Sequence, residues 1–226
     1  MHVEPVTQAG EDLLSRLRPA LVGGNLGQAL ETVRERWSVP ELIALLKHSQ
    51  VDIRKVAALA LGLVGGKAAV GPLAVALHDG DPMMVQMAEH ALWSVWFRLG
   101  KRATIPLLKQ GSCHLNHGNY DIAVQKFTQA IEVDPGFAEA YNQRAIAHYL
   151  AEEYRPSIAD SRAALERMPH HFGAMAGMGH CYAHLHEWAE ARRCYRLALT
   201  MHPQAEGIAQ ALAQVEAILR DRGAES

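Results

Sequence analysis

The sequence has few cysteines, few aromatic residues and almost no net charge. Among 226 residues there are three cysteines, 6% aromatic residues and a formal net charge of −2 at pH 7. An odd number of cysteines without short spacings gives no disulfide framework and is typical of free thiols in a reducing compartment. The weak net charge excludes a global field that would draw the protein to nucleic acid or to an anionic membrane.

Segments that would export or anchor the protein are also missing. The amino terminus, MHVEPVTQAGEDLL, has no basic stretch followed by an apolar one, so we expect no signal peptide. The longest apolar run, at residues 56–66, is about half the length that a bilayer-spanning helix requires. The sequence therefore predicts a cytoplasmic protein without a membrane partner.

Motifs of catalysis are absent as well. The sequence contains no glycine-rich phosphate loop, nucleophile elbow, spaced carboxylate pair, His-Glu-x-x-His or Cys-x-x-Cys. Thirteen histidines are unusual, and His114 with His117 and His180 with His184 stand at spacings that place two imidazoles on one helical face. Because two ligands on one face do not complete a zinc site, we predict no metal site, no cofactor, no catalytic residue and no enzyme.

A pattern of small, aromatic and proline residues recurs every 34 residues between Thr104 and Pro203. Such a period is typical of stacked helical hairpins. Small residues in both helices of a hairpin allow the helix axes to cross at about 8 Å, and the proline ends the second helix. The equivalent positions are Gly111/Ala145/Gly179, Tyr120/Tyr154/Trp188, Ala123/Ser157/Ala191, Phe127/Ser161/Tyr195, Ala130/Ala164/Ala198 and Pro135/Pro169/Pro203.

This pattern resembles the tetratricopeptide repeat (TPR) family, and three copies in register cover about 100 residues. The middle copy departs from the family at Ser161, where the family has a bulky apolar residue. Either a neighbour such as Phe172 or Met168 fills the space, or this repeat is locally less rigid.

A shorter period of 31 residues precedes the TPR-like part. It aligns Leu42 with Leu73, Leu46 with Leu77, Ile53 with Met84, Ala57 with Ala88, Ala60 with Ala91 and Leu61 with Leu92. The stretch VPELIALLKHSQVDIRKVAALALGLVG resembles HEAT-like repeats, especially those related to phycobilin lyases. The next copy carries Val85 where the resemblance implies an arginine, so we expect Arg54 to lack its usual stacked partner.

Together the two periods predict an all-α fold, an α-solenoid of HEAT-like hairpins followed by three TPR hairpins and a capping helix. We expect a disordered leader at 1–10, three HEAT-like hairpins at 11–103 with a degenerate first copy, the TPR hairpins at 104–205, and a capping helix with a short tail at 206–226. The few residues at the join indicate one continuous superhelix.

The TPR resemblance implies that the first helix of each hairpin lines a concave, partner-binding surface. It implies a protein or peptide partner with apolar anchors, held by a non-enzymatic scaffold. Leu108, Ser112, Gly173 and Gly177 stand at positions where relatives clamp a chaperone-tail carboxylate, so we expect no such clamp. The predicted binding residues are Leu108, Ser112, Leu115, Asn116, Asn142, Gln143, Ile146, Tyr149, Leu150, Gly173, Gly177, His180 and His184.

Two other functions remain open. The HEAT-like part would also suit an accessory or lyase-like protein of the bilin-lyase type, or nucleic-acid binding by the HEAT-like face. Basic residues such as Arg54, Lys55 and Lys67 are interspersed with Glu41 and Asp52. A solvated face of mixed charge is therefore favoured over a nucleic-acid stripe, and we expect no nucleic-acid partner.

Overall fold

The computed structural model describes residues 5–224, without the side chains of residues 5–7, 21, 223 and 224. Over these residues the chain forms thirteen α-helices, one short 3-10 helix and no β-strand, which confirms the predicted all-α repeat class. It divides into two compact units after Leu99. The first unit contains α1 (Pro5–Val22), α2 (Leu26–Arg36), α3 (Val39–Leu45), α4 (Val51–Val64), α5 (Lys67–Ala76) and α6 (Pro82–Arg98). The second contains the 3-10 helix Arg102–Thr104, α7 (Ile105–Asn116), α8 (Tyr120–Val133), α9 (Ala138–Leu150), α10 (Tyr154–Arg167), α11 (Phe172–His184), α12 (Trp188–Met201) and α13 (Glu206–Ala224).

Helix α4 lies at the centre of the first unit. It packs against α1, α2, α3 and α6, and Ile53, Ala57, Ala60 and Leu61 are fully buried. A Cβ added at Gly10 would lie 2.8 Å from the Ile53 side chain, so α1 approaches α4 closely at this glycine. Small residues on these helices therefore allow the hairpins to share one core.

The predicted disordered leader is wrong over residues 5–10, because α1 begins at the first described residue. Residues 1–4 lie outside the described residues. The helix also continues through Pro19, although a proline inside a helix usually ends or kinks it. Leu13 and Leu17 are fully buried, and this burial stabilises the helix although the proline cannot donate a backbone hydrogen bond.

Arg54 links successive hairpins of the first unit. Its guanidinium donates two hydrogen bonds to the Asp79 carboxylate, at 2.8 Å from Nε and 3.0 Å from Nη2, and two more to the carbonyl oxygens of His48 and Ser49. The side chains of Arg54 and Asp79 are only 18% and 15% exposed. A carboxylate thus partners Arg54, while Val85, at the position of the next arginine, is buried.

This ion pair makes the stability of the first unit sensitive to acid. The hydrogen bonds from Arg54 lower the pKa of Asp79. A carboxyl group whose pKa is lowered by folding stabilises the protein above its unfolded pKa, and this stabilisation is lost as the pH falls through the folded pKa. We expect Asp79→Asn to cost about 1 to 3 kcal/mol at pH 7, and this cost to shrink below about pH 4. Urea denaturation across this pH range measures it, with the exposed Asp52→Asn as control; a cost independent of pH would contradict the prediction.

The three TPR hairpins of the second unit repeat one backbone geometry. The turn inside each hairpin has one residue in the left-handed region, namely Gly118, Glu152 and His186, with φ of 73°, 60° and 59°. The residue after it precedes the second helix with φ between −86° and −87° and ψ of 65° in all three hairpins. The 34-residue period of the sequence is therefore also a period of the backbone.

In the first and third of these hairpins an aromatic ring of the second helix lies directly over a glycine of the first. A Cβ added at Gly111 would lie 2.4 Å from the Phe127 ring, and one added at Gly179 would lie 2.7 Å from the Tyr195 ring. Both rings are almost completely buried. We name this arrangement the glycine–ring contact. It leaves no room for a side chain at the glycine's position on the first helix.

Helix α13 covers the last hairpin. Val215 is buried, and Ile208, Leu212 and Leu219 pack against the cluster that contains Tyr195. These residues form one apolar face of α13, which runs to Ala224. The helix removes from water the side of the array that would otherwise be exposed.

Alanine substitutions at two glycines of α11 are expected to change the stability of the protein in opposite directions, because only Gly179 makes the glycine–ring contact. Gly179→Ala is expected to destabilise the protein by about 1 to 3 kcal/mol, because the new Cβ overlaps the Tyr195 ring. Gly177→Ala is the matched control, since a Cβ there meets nothing within 4 Å, and it is expected to stabilise the protein by about 0.5 to 1 kcal/mol. Urea denaturation of both variants measures the difference, and equal effects would show that packing at Gly179 is not tight.

Candidate functional site

A cavity of about 150 Å³ lies between α9, α10 and α11 in the second unit. We name it the α9–α11 pocket. Six of the predicted binding residues line it. Asn142 is buried, whereas the other five are partly exposed and form the mouth of the pocket. The predicted binding residues that line it are Asn142, Ile146, Tyr149, Gly173, Gly177 and His180.

Three residues that the sequence does not predict complete the lining. They are Ala145, Ser157 and Ser161, and the two serines are 2% and 1% exposed. The Ser157 hydroxyl donates to the Ala145 carbonyl oxygen at 2.8 Å and accepts from the Cys181 thiol at 3.1 Å. The floor of the pocket is thus built from small side chains of α9 and α10.

Ser161 is the residue at which the repeat pattern breaks. It is only 1% exposed, yet it lines the pocket. Phe172 and Met168 are buried but neither lines the pocket, so the suggestion that one of them fills the space is wrong. The break in the pattern is the sequence signal for this cavity.

A buried polar network holds the first turns of α9 and α11 next to the pocket. Glu139 Oε1 accepts from Asn142 Nδ2 at 3.2 Å and from Gln143 Nε2 at 2.7 Å, and Glu139 Oε2 lies 2.9 Å from His171 Nε2. His171 Nδ1 in turn accepts from the backbone N–H of Ala174 at 3.1 Å. Although it stands in the first turn of a helix, Glu139 is therefore not a solvated charge, since its side chain is fully buried.

Aromatic and histidine rings form the outer rim of the pocket. The Tyr149 hydroxyl lies 2.9 Å from His184 Nε2, and the His184 ring stacks on Tyr154 with centroids 4.7 Å apart. The Tyr195 hydroxyl lies 2.7 Å from His180 Nδ1. Burial, and secondarily the nearby His184, lowers the pKa of His180, so this imidazole is neutral at pH 7.

The remaining predicted residues do not line the pocket. Leu108 is 5% exposed and belongs to the core, so its prediction as an accessible anchor is wrong; it lies one turn before Gly111, on the side of α7 that approaches α8. Gln143 is 9% exposed and is bound to Glu139. The others are exposed or partly exposed outside the pocket lining: Ser112, Leu115, Asn116, Leu150 and His184.

Basic side chains on the HEAT-like face are engaged by carboxylates. In addition to the Arg54–Asp79 pair, Lys55 Nζ lies 3.2 Å from Asp81 and 3.7 Å from Asp52. These contacts agree with the predicted face of mixed charge.

The described residues contain no helix that combines the length and the hydropathy needed to span a membrane. Nor does any group of three or more histidine, cysteine, aspartate or glutamate side chains within residues 5–224 suit a metal ion. Three of the four histidines singled out in the sequence make local contacts. His180 and His184 bond to tyrosines, and His117 Nδ1 lies 2.7 Å from the Cys113 carbonyl oxygen.

Comparison with known proteins agrees with both repeat types. The family model for HEAT repeats matches residues 11–132, more than half of the chain. A TPR repeat-containing protein of Rhizobium etli is 30% identical over 144 residues, which cover 60% of this chain and 70% of that protein. The chain belongs to the HEAT-repeat and TPR-repeat families. The HEAT match extends over most of α8, so the first TPR hairpin also has HEAT-like sequence character.

Other similar proteins match about half of this chain. A FAM10 family protein of Arabidopsis thaliana is 35% identical over 102 residues, which are 45% of this chain but only 23% of the plant protein. The first TPR domain of Spaghetti (RPAP3), solved with the HSP90 peptide SRMEEVD, superimposes with a TM-score of 0.51 at 20% identity and covers 52% of this chain and 93% of that domain. At this identity the similarity shows the fold alone.

The buried network at Glu139 yields a prediction about stability. Glu139→Ala is expected to lower the free energy of unfolding by about 2 kcal/mol or more, because buried donors of Asn142, Gln143 and His171 lose their acceptor. Glu132→Ala, at an exposed glutamate in the last turn of α8, is the control. Chemical denaturation measures both, and a similar small effect in the two variants would show that the network contributes little.

Proposed function

We propose that this HEAT- and TPR-repeat protein is a non-enzymatic scaffold that binds a peptide segment of a partner protein at the α9–α11 pocket. The observation that carries the proposal is the pocket itself, which has small residues in its floor and partly exposed apolar residues at its mouth. A concave site lined mainly by apolar groups with a few fixed polar groups is the usual form of a binding site.

The mouth of the pocket leaves room for a guest chain. A Cβ added at Gly177 would meet no atom within 4 Å, so a backbone can approach α11 closely at this position. Ile146 and Tyr149 supply apolar surface on the opposite side. An apolar side chain buried at the centre, surrounded by polar contacts of the rim, is the arrangement in which few residues provide most of the binding energy.

The chemistry of the lining favours apolar peptides over acidic tails. The similar domain of Spaghetti (RPAP3) was solved with a peptide that ends in Glu-Glu-Val-Asp. The lining of the α9–α11 pocket contains no lysine or arginine, and His180 is neutral at pH 7. We therefore propose a site that anchors an apolar side chain rather than a terminal carboxylate.

Selection of peptides from a random display library tests the proposal. The full chain is used as bait, and the selected peptides are measured against Gly177→Leu and Gly207→Leu. Both glycines lie in helices and face open space, and leucine favours the helix at both, but only residue 177 lies at the pocket. We expect binding to weaken by at least about tenfold in Gly177→Leu and to remain unchanged in Gly207→Leu.

The peptide SRMEEVD serves as the acidic comparator. Weaker binding of this peptide than of the selected apolar peptides supports the proposed chemistry. Tighter binding of the acidic tail would contradict it, as would selected peptides that bind Gly177→Leu as well as they bind the wild type.

A further inference from the structure

The three TPR hairpins differ at the glycine–ring contact. In the first and third hairpins, Phe127 and Tyr195 lie against Gly111 and Gly179 with their ring atoms 2.4 to 2.8 Å from the position of an added Cβ. In the middle hairpin the equivalent residues are Ala145 and Ser161. The second helix therefore contributes a hydroxymethyl group where its neighbours contribute a six-membered ring, and the α9–α11 pocket lies at this position.

The helices of the middle hairpin do not move together to fill the space that a ring would occupy. The middle hairpin keeps the turn geometry of its neighbours, with φ of 60° at Glu152 against 59° at His186, and Ala164 in α10 is fully buried as Ala130 and Ala198 are in theirs. Closely packed cores rarely contain voids larger than a water molecule. A cavity of about 150 Å³ retained in an otherwise regular repeat is thus a specific feature of this hairpin.

The size and walls of the pocket suit an aromatic ring. An apolar protein cavity of about 150 Å³ is large enough to bind benzene. Beside the small floor residues, the rings of Tyr149 and His180 stand at the mouth with their centroids 6.4 Å apart, so they offer edges and faces to a third ring. Ser161 lies in the lining, so its hydroxyl can meet a polar atom of the guest.

We propose that the α9–α11 pocket receives an aromatic side chain, phenylalanine or tyrosine, of the partner peptide, which takes the place that Phe127 and Tyr195 occupy in the flanking hairpins. This inference rests on the proposed function, because it names the anchor of the peptide that the scaffold binds. It makes Ser161 and Ala145 residues that determine specificity.

The first test uses two small probes. One is p-cresol, the small-molecule analogue of the tyrosine side chain, and the other is 3-methylbutan-1-ol, an aliphatic alcohol without a ring. Backbone amide shifts of the full-length protein, monitored at Ala145, Gly173 and Gly177, report their binding. We expect saturable shifts with p-cresol and at least about tenfold weaker binding of the alcohol. Equal binding of the two probes, or no saturable shift with p-cresol, would overturn the inference.

The matched variant restores the arrangement of the flanking hairpins. Ser161→Phe is combined with Ala145→Gly, because a ring at 161 would overlap a Cβ at 145 as it would at Gly111 or Gly179. We expect the double variant to melt cooperatively and to bind p-cresol at least about tenfold more weakly. Gly207→Leu, outside the pocket lining, is the control and is expected to bind p-cresol within about threefold of the wild type. Undiminished binding to a folded double variant would overturn the inference, and Gly177→Leu, which narrows the mouth, provides the same test if the double variant does not fold.

The selected peptides separate this inference from the proposed function. Enrichment of phenylalanine or tyrosine at one position, with binding lost in the double variant, supports both. Peptides without an aromatic residue that lose binding in Gly177→Leu but not in the double variant would leave the scaffold function standing and overturn the aromatic anchor. Saturable p-cresol binding without any peptide binding would overturn the scaffold function and leave the ring preference of the pocket supported.

Discussion

The second unit depends on how closely the two helices of a hairpin can approach each other. Where a glycine of the first helix faces a ring of the second, the ring is buried against backbone and excludes every other side chain, as Phe127 and Tyr195 do. Close packing of this kind leaves little freedom, since added volume in a filled core is destabilising. The burial of Tyr195 in the core that α10, α11, α12 and α13 share depends on the same contact.

The middle hairpin keeps the backbone geometry of its neighbours without the buried ring. Polar contacts hold its helices in place instead. Glu139, His171, Asn142 and Gln143 form a buried network between the starts of α9 and α11, and Arg144 donates two hydrogen bonds to Asp160 at 2.6 and 2.7 Å. Buried polar groups are costly unless they are paired, so a fully bonded network favours one relative position of these helices. This rigidity explains how a cavity can persist between them.

Much of the fold could be predicted from the sequence, because helical periodicity and the spacing of Gly111, Ala145 and Gly179 are local properties. The pairing of Arg54 with Asp79 and the burial of Glu139 could not, since each depends on contacts between hairpins. The TPR resemblance places Leu108 on the binding surface, yet the close approach of α7 and α8 at Gly111, one turn later, draws that side of α7 into the core. The sequence does not predict the helical start at Pro5, because burial of Leu13 and Leu17, not local composition, stabilises α1.

The candidate site illustrates why a departure from a repeat is more informative than agreement with it. Residues that follow the pattern are explained by packing, and Gly179 is required for that reason. Ser161 follows no packing requirement, because a ring at its position, paired with glycine at 145 as in the flanking hairpins, would bury more apolar surface and therefore stabilise the isolated protein. Gly177, two residues before Gly179 and on the open side of α11, is likewise unexplained by the core. Both exceptions lie at one pocket, where a guest side chain can supply the burial that the chain itself lacks.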